Sequence, residues 1–508
     1  MYYASYMYRN PYYVMPNPYF PNQLLYQNYP QGQGNLNPYY LSQLPNRQGV
    51  VALSKSRKQP INIEEASIRE NSSLNSYKEN YAYSLGIQAY IYGYPLVTAE
   101  RTRQLQSTVQ EPFGPAYTVS NAFIYYDELL TPDFKDVVTP NVDTIYSFVW
   151  LDLTHNPVVL HVPDTNDRYY SVQLMDDWTN TFSNIGRRTT GTDAGKFAIV
   201  GPDWKGILPD DVTEVNSPTN TVWMNIRVLV EGEDDLAHAQ AIQKQFALTT
   251  LDGKKVPAVI KPANTLLLKN KVEDLPALDF FKTMTDLMIL NPTMNNEALE
   301  KQFEHIGIDL TYGFDANKLD AETIAGLNRA AKDGFQIITN GLEESNPKNV
   351  NGWLVVMGLG NYGDRFLWRA YVAFSGFGVN VDEESTLIRA FTDDQGNELN
   401  GKNKYILHFN KDQLPPVEAF WSVTMYGSDF YLVPNEINRY AIGDRTEGLE
   451  YNDDGSLDIY IQKDRPINNE SNWLPAPEGD FNLVLRMYQP TAKVLNGTYE
   501  VPGVKRVR

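Results

Sequence analysis

The sequence predicts a mainly β chain in which two β-rich stretches are separated by a helical insertion. Three observations carry this. Short runs rich in β-branched and aromatic residues, bounded by Pro, Gly, Asn and Asp, recur between about 119 and 230 and again from about 365 to the end. Between about 275 and 345 the apolar residues switch to helical spacing. At 508 residues the chain also exceeds what one ordinary core organises, so two domains with additions are expected.

Residues 1–60 stand apart as an arm. Within them, residues 1–40 are rich in Tyr, Asn, Pro and Gln, nearly uncharged and poor in aliphatics, with Pro11, Pro16, Pro18, Pro21 and Pro30 forbidding a long helix. Such a segment cannot bury enough apolar surface to offset its ordering entropy, and is expected to be disordered in isolation. Its phenol rings are adhesive, so it reads either as a plain tail or as an arm that orders on a neighbouring subunit.

The first folded element reads as a helix. Ser76-Tyr-Lys-Glu79 has capping-box spacing, Leu85, Ala89, Tyr92 and Leu96 follow on one face, and Pro95 predicts a kink or break. Strands are expected at Val158–Val162, Tyr169–Met175 and Thr221–Val228, completing an N-terminal β-rich domain over 77–270. A helical connector follows over 271–350. Phe281, Met284 and Met288 form one stripe, Leu299, Phe303 and Ile306 a second, and Asp320 caps a third helix with Ile324, Leu327, Ala331, Phe335 and Ile338 on one side. The C-terminal β-rich domain spans 351–508. There Asn452-Asp-Asp-Gly-Ser456 lies between Leu449-Glu-Tyr451 and Leu457–Ile461 and reads as a hairpin turn, while Phe481–Tyr488 carries Arg486 among apolar neighbours.

The net charge of -19 argues against nucleic acid as a partner, since phosphate binding needs clustered Lys and Arg. No segment approaches the run of about 18 apolar residues that a membrane helix needs. No basic start precedes an apolar run, so no signal peptide is expected. With no cysteine, thiolate chemistry and disulfides are excluded. His155, His161, His238, His305 and His408 lack metal-site spacing, and no phosphate loop or dinucleotide fingerprint is convincing, so neither metal nor cofactor is expected. Gly358-Leu-Gly-Asn-Tyr-Gly363 spells a dinucleotide pattern, but no βαβ unit accompanies it and it reads as a loop.

Two constellations concentrate polar groups. Asn141, Asp143 and Tyr146 share the block Pro140–Tyr146, with Arg168, Tyr169 and Asp176 nearby in sequence. In an extended strand Asn141 and Asp143 face the same side. They could bind a polar ligand or move a proton, or form a buried network that fixes a strand corner after Pro140. The second constellation is Arg365, Arg369, Trp421, Tyr426, Asn435, Arg439, Tyr440 and Asp444. Its arginines and aromatic faces suit a sugar or an aromatic acid, while Arg439 and Asp444 could equally pair across a turn.

The same blocks carry a family resemblance. Tyr92-Gly-Tyr-Pro95, Pro140–Tyr146, Arg168-Tyr-Tyr-Ser-Val-Gln173 and Gly201-Pro-Asp-Trp204 resemble the microbial domain of unknown function 1254. Tyr362-Gly-Asp-Arg365, Phe420–Tyr426, Asn438-Arg-Tyr440, Asn472–Pro477 and Arg486-Met-Tyr-Gln-Pro490 resemble its usual C-terminal partner, domain of unknown function 1214. The likeness runs from about 77 to 508. It implies two β-sandwich or jelly-roll-like domains with a helical insertion, and no settled activity. Relatives often carry signal peptides, where this chain has its tyrosine-rich arm.

Two functional expectations stand together. One is a non-catalytic structural protein that self-assembles into a homo-oligomer or array through its arm. Arm composition of this kind is similar to that of spore-surface proteins, which points to the spore surface or the mother-cell cytoplasm. The other is an enzyme or binding protein for a small polar or carbohydrate-like ligand in a β-domain pocket.

Overall fold

The computed structural model describes residues 63–110, 116–135, 138–292 and 296–507; the arm at 1–60 lies outside them. The chain is mainly β with a helical layer, as expected.

The N-terminal half is built around two packed sheets, with a small third sheet of Thr108–Gln110, Ala116–Ser120 and Val259–Pro262 beside them. The first is antiparallel, in the order Ile124–Tyr126, Thr144–Asp152, Thr221–Leu229, Tyr170–Asp176, Thr181–Gly186. The second runs Ala247–Thr249, Val158–Val162, Gly195–Val200, Thr213–Asn216. Alternation along the strands decides what each face meets. Ile145, Val149 and Leu151, with Val222, Met224, Ile226 and Val228, pack onto Val158, Leu160 and Ile199 of the second sheet. The alternate residues, Tyr146, Phe148, Trp150, Trp223, Asn225 and Arg227, take the outer face.

The C-terminal half repeats the scheme. A six-stranded sheet runs Lys348–Val350, Trp353–Val355, Ser385–Ala390, Phe481–Pro490, Val417–Gly427, Ala441–Gly443. A four-stranded sheet of Trp473–Pro475, Leu457–Gln462, Lys404–Phe409 and Val504–Val507 covers one face of it. Trp421, Val423, Met425, Leu483, Leu485 and Met487 point into this core with Tyr405, Leu407 and Ile459. Phe420, Ser422, Thr424, Tyr426, Arg486 and Tyr488 are left for the opposite face, and all are buried there.

The helical layer joins pieces distant in sequence. The 45-residue helix Ile63–Ser107 packs on Ala277–Leu290, Ala321–Thr339 and Phe366–Ser375. Leu85, Ala89, Tyr92 and Leu96 meet Phe280, Phe281, Met284, Phe303, Leu327 and Ile338. Small residues set the spacing: a methyl group at Gly326 would lie 2.5 Å from the Glu79 carbonyl oxygen, and one at Gly86 would lie 2.7 Å from Ala330 Cβ. Among the described residues no helix is long and apolar enough to cross a membrane.

Several local expectations need correction. The first helix begins well before Ser76, so the capping box at 76–79 is interior, and the helix runs through Pro95 unbroken. A proline there removes one backbone donor, but Tyr92, Tyr94, Leu96 and Val97 are all buried around it, and their packing outweighs the lost bond. The segment from 365 does not open with a strand: Phe366–Ser375 is a helix, and it follows the loop at 358–363. The turn at 452–456 closes through Asn452 N–H to the Ser456 carbonyl at 2.8 Å, but Leu449–Tyr451 is not a strand. Leu457–Gln462 instead pairs with Lys404–Phe409 and Trp473–Pro475.

Candidate functional site

The two polar blocks of the sequence meet at the seam between the sandwiches. Residues 139–143 lie across the outer face of the C-terminal six-stranded sheet before the chain enters its own strand at Thr144. Asn141 and Asp143 are therefore not two residues of one strand. Asn141 forms a turn, its side-chain oxygen accepting from the backbone N–H groups of Asp143 and Thr144, while its amide donates to the Tyr488 hydroxyl.

Asp143 is buried beside Asn141. It is 5% exposed, and one oxygen accepts from Ser422 Oγ at 2.8 Å, the other from Arg445 Nη2 at 2.7 Å. Arg445 also donates to the Val230 carbonyl, lies 4.1 Å over the Phe420 ring, and stands 3.5 Å from Asp444. Burial lifts the Asp444 carboxyl to about 6 against the pull of Arg445. Tyr426 donates to the Pro140 carbonyl at 2.6 Å. Arg486 donates to Thr424 Oγ1 at 3.2 Å and to the Thr139 carbonyl at 2.9 Å. Thr139 has φ +57, a left-handed conformation uncommon for a β-branched residue. Its N–H reaches the Phe430 carbonyl at 2.8 Å, so bonds on both sides hold the strained residue in place.

Further along the seam Tyr169 donates to Glu384 at 2.8 Å, and Arg188 pairs with the other oxygen of that carboxylate at 2.7 Å. Tyr488 and Tyr169 both have raised pKa values. Burial is the main cause in each, reinforced by Asp143 beside Tyr488 and Glu384 beside Tyr169. Both phenols therefore stay protonated; Tyr169 donates to Glu384, while the Tyr488 hydroxyl accepts from the Asn141 amide.

The other residues singled out by sequence scatter. Arg168 forms a two-point pair with Asp235 at 2.5 and 2.7 Å and also holds the Leu229 carbonyl. Asp176 accepts from Asn180, whose backbone N–H is at 2.8 Å, and burial raises it to about 6 despite these bonds and the nearby Arg369. Arg369 is enclosed by the rings of Trp178, Phe366 and Tyr92. Arg365 donates to the Glu344 carbonyl at 2.8 Å. Trp421 faces the C-terminal core, and its backbone N–H points at Asp444. Arg439 does not pair with Asp444; its Nη1 holds the carbonyls of Glu470, Ser471 and Trp473 at 2.8–3.1 Å. Asn435 closes the same loop onto the Arg439 carbonyl. Tyr146 is half-buried on the outer face of its sheet, 5.5 Å from the Arg227 guanidinium.

Sequence reasoning missed Ser422 and Arg445 as partners of Asp143, and Asn225 and Arg227 beside Tyr146. A signal for the latter was present: the alternation in Thr221–Val228 places Trp223, Asn225 and Arg227 opposite an unbroken apolar set. Elsewhere, a cavity of about 260 Å³ opens between the helical layer and the end of the N-terminal sheet. Its charged walls pair with each other, Glu100 with Arg103 at 2.7 Å and Asp152 with Lys261 at 2.5 Å.

Residues 120–250 match a family model described as a protein of unknown function, DUF1254, and residues 384–492 match a second, DUF1214. The chain joins a DUF1254 domain to a DUF1214 domain. The seam is thus where the two domains meet: Asp143 belongs to the DUF1254 match, and Ser422 and Arg445 to the DUF1214 match. The fold is similar to the crystal structure of the VPA0106 protein from Vibrio parahaemolyticus. That likeness has a TM-score of 0.66 and 25% identity, over 84% of this chain and 100% of that one. An uncharacterized protein from Burkholderia cenocepacia aligns with a TM-score of 0.41 and 9% identity, over 86% of this chain and 96% of that one. No curated protein matches the chain.

Proposed function

We propose that this chain is a non-catalytic structural protein that assembles with copies of itself, with residues 1–60 as the arm that joins neighbours. The observation that carries this reading is that the central polar groups of the seam are partnered within the chain, with Arg445 Nε left without a hydrogen bond among the described residues. Both oxygens of Asp143, the guanidinium of Arg486 and the hydroxyl of Tyr426 are committed to partners within the chain. The groups that looked suited to chemistry instead unite two sandwiches. The arm complements this body. Residues 1–40 contain eleven tyrosines and one charged side chain, Arg9, whereas the whole chain has a net charge of -19. Acidic bodies repel one another at low salt, and the nearly uncharged aromatic stretch 1–40 of the arm escapes that repulsion. Its composition also supports deposition at a spore surface.

The test compares the full chain with a variant lacking residues 1–60, by light scattering and electron microscopy, at salt concentrations of about 0.05 and 0.5 M. The full chain is expected to form larger particles as salt screens the body, and the shortened chain to stay small at both. Assembly that survives the deletion unchanged removes the arm from the argument.

A further inference from the structure

The outer face of the N-terminal five-stranded sheet holds polar groups that the seam does not use. Strand register places Tyr146 beside Arg227, Asn225 between Phe148 and Gln173, and Trp150 beside Trp223. These residues share one face because Val222, Met224, Ile226 and Val228 occupy the other. The rings form a continuous strip. Tyr146 stacks on Phe148 at 5.7 Å, Phe148 stacks on Trp223 at 5.4 Å, and Trp223 meets Phe377 edge-on at 5.7 Å. Tyr146, Phe148, Arg227 and Phe377 are half-buried rather than sealed, so this part of the strip is reachable from solvent, while Trp223 and Asn225 are buried.

Two features set this strip apart from an ordinary buried face. Asn225 Oδ1 and Trp223 Nε1 are buried with no hydrogen-bond partner among the described residues, in residues only 1% and 4% exposed. Native proteins leave few such atoms, because each costs about 1–3 kcal/mol when unpaired. The third polar group is Arg227, which among the described residues forms no ion pair, although acidic side chains outnumber basic ones 62 to 43. Its one hydrogen bond goes to Gln173 Oε1 at 3.2 Å.

We propose that this face binds a small hydroxylated aromatic carboxylate. The guanidinium of Arg227 takes the carboxylate, for which its planar fork is suited. The strip of Tyr146, Phe148 and Trp223 takes the flat ring by stacking. Asn225 Oδ1 accepts from the ring hydroxyl, and Trp223 Nε1 donates to the same oxygen or to the carboxylate. A neutral sugar would stack on the strip but give Arg227 no counter-charge.

The probes are 4-hydroxybenzoate, benzoate and the uncharged 4-hydroxybenzyl alcohol, titrated into the full chain by calorimetry. Saturable binding of 4-hydroxybenzoate is expected, with benzoate weaker and the alcohol at least about tenfold weaker, a difference of about 1.4 kcal/mol. Arg227→Met should abolish binding of the acid while its thermal midpoint stays near wild type, and Arg227→Lys should retain part of it. If Arg227→Met does not fold, the ratio of acid to alcohol in the wild type decides alone. The proposal is overturned if 4-hydroxybenzoate shows no saturation at about 10 mM, where affinity is below about 3 kcal/mol. It is equally overturned if the alcohol binds as well as the acid, or if a folded Arg227→Met variant binds the acid like wild type.

Discussion

Replacing Asp143 by Ala tests whether the seam holds the two sandwiches together. The carboxylate is 5% exposed and meets Arg445 Nη2 at 2.7 Å. Two unit charges at that distance attract by about 6 kcal/mol at an effective dielectric of about 20, before desolvation is subtracted. Removing one partner of a buried pair costs about 3–5 kcal/mol, mostly from the charge left behind. Here that charge is not stranded. Arg445 keeps the Val230 carbonyl and has Asp444 within 3.5 Å, and its side chain is 20% exposed. Ser422 Oγ, by contrast, loses its acceptor in a buried position. The expected loss is therefore at the lower end, about 3 kcal/mol.

Urea unfolding followed by circular dichroism reads this out. With a slope of about 3 kcal/mol/M or more for a chain of this size, the midpoint should fall by up to about 1 M. Because each sandwich has its own core, a variant transition that splits into two steps would itself report uncoupling of the halves. A double-mutant cycle with Arg445→Ala isolates the pair, and a coupling of about 2 kcal/mol is expected. A loss below about 0.5 kcal/mol, or additivity within that margin, would refute the view that this contact joins the domains.

Two further outcomes follow from the geometry. Burial raises Asp176 from 3.8 to about 6. A raised acid favours the folded state below pH about 4, and that advantage is lost as pH rises through about 6; the shift corresponds to about 3 kcal/mol. Asp176→Asn should therefore flatten the decline in urea midpoint between pH 4 and 6 by one group's share, leaving the contributions of Asp382 and Asp444, also raised to about 6. Gly326→Ala should destabilise by about 1–3 kcal/mol by thermal unfolding, since the new methyl meets the Glu79 carbonyl at 2.5 Å. Helix propensity alone predicts the opposite sign, so a gain in stability would show that the helices do not approach this closely.

How legible each part was depended on how many environments a residue faced. Val158–Val162 and Thr221–Leu229 were readable because strand alternation and flanking turn residues agreed. Asp320 was readable as a cap because its side chain has one local task, accepting from the Thr323 N–H at 2.8 Å. The helix Phe366–Ser375 was not. Residues 368–374 are buried without interruption, so it lacks the amphipathic period that marks a surface helix, and its aromatic and β-branched content resembles a strand. The partners of Asp143 were illegible for a different reason: Ser422 and Arg445 lie 279 and 302 positions away, and no local pattern encodes that meeting.

The polar residues in the strands resemble active-site residues because their faces are turned inward twice over. One face of each large sheet meets its own partner sheet, and part of the other is covered by the rest of the chain. Ser422, Thr424, Gln173 and Asn225 are consequently buried while still occupying the positions that alternation reserves for polar side chains. Burial alone cannot separate a joining network from a binding site, since both place polar groups away from water. Partnership can. Around Asp143 each acceptor oxygen has its donor, which is what a permanent contact requires. On the face carrying Asn225 and Trp223 an acceptor and a donor remain without one among the described residues, beside a guanidinium that forms no ion pair among them. Folding by itself gives no reason to keep three such groups together, whereas a ligand that satisfies all three does.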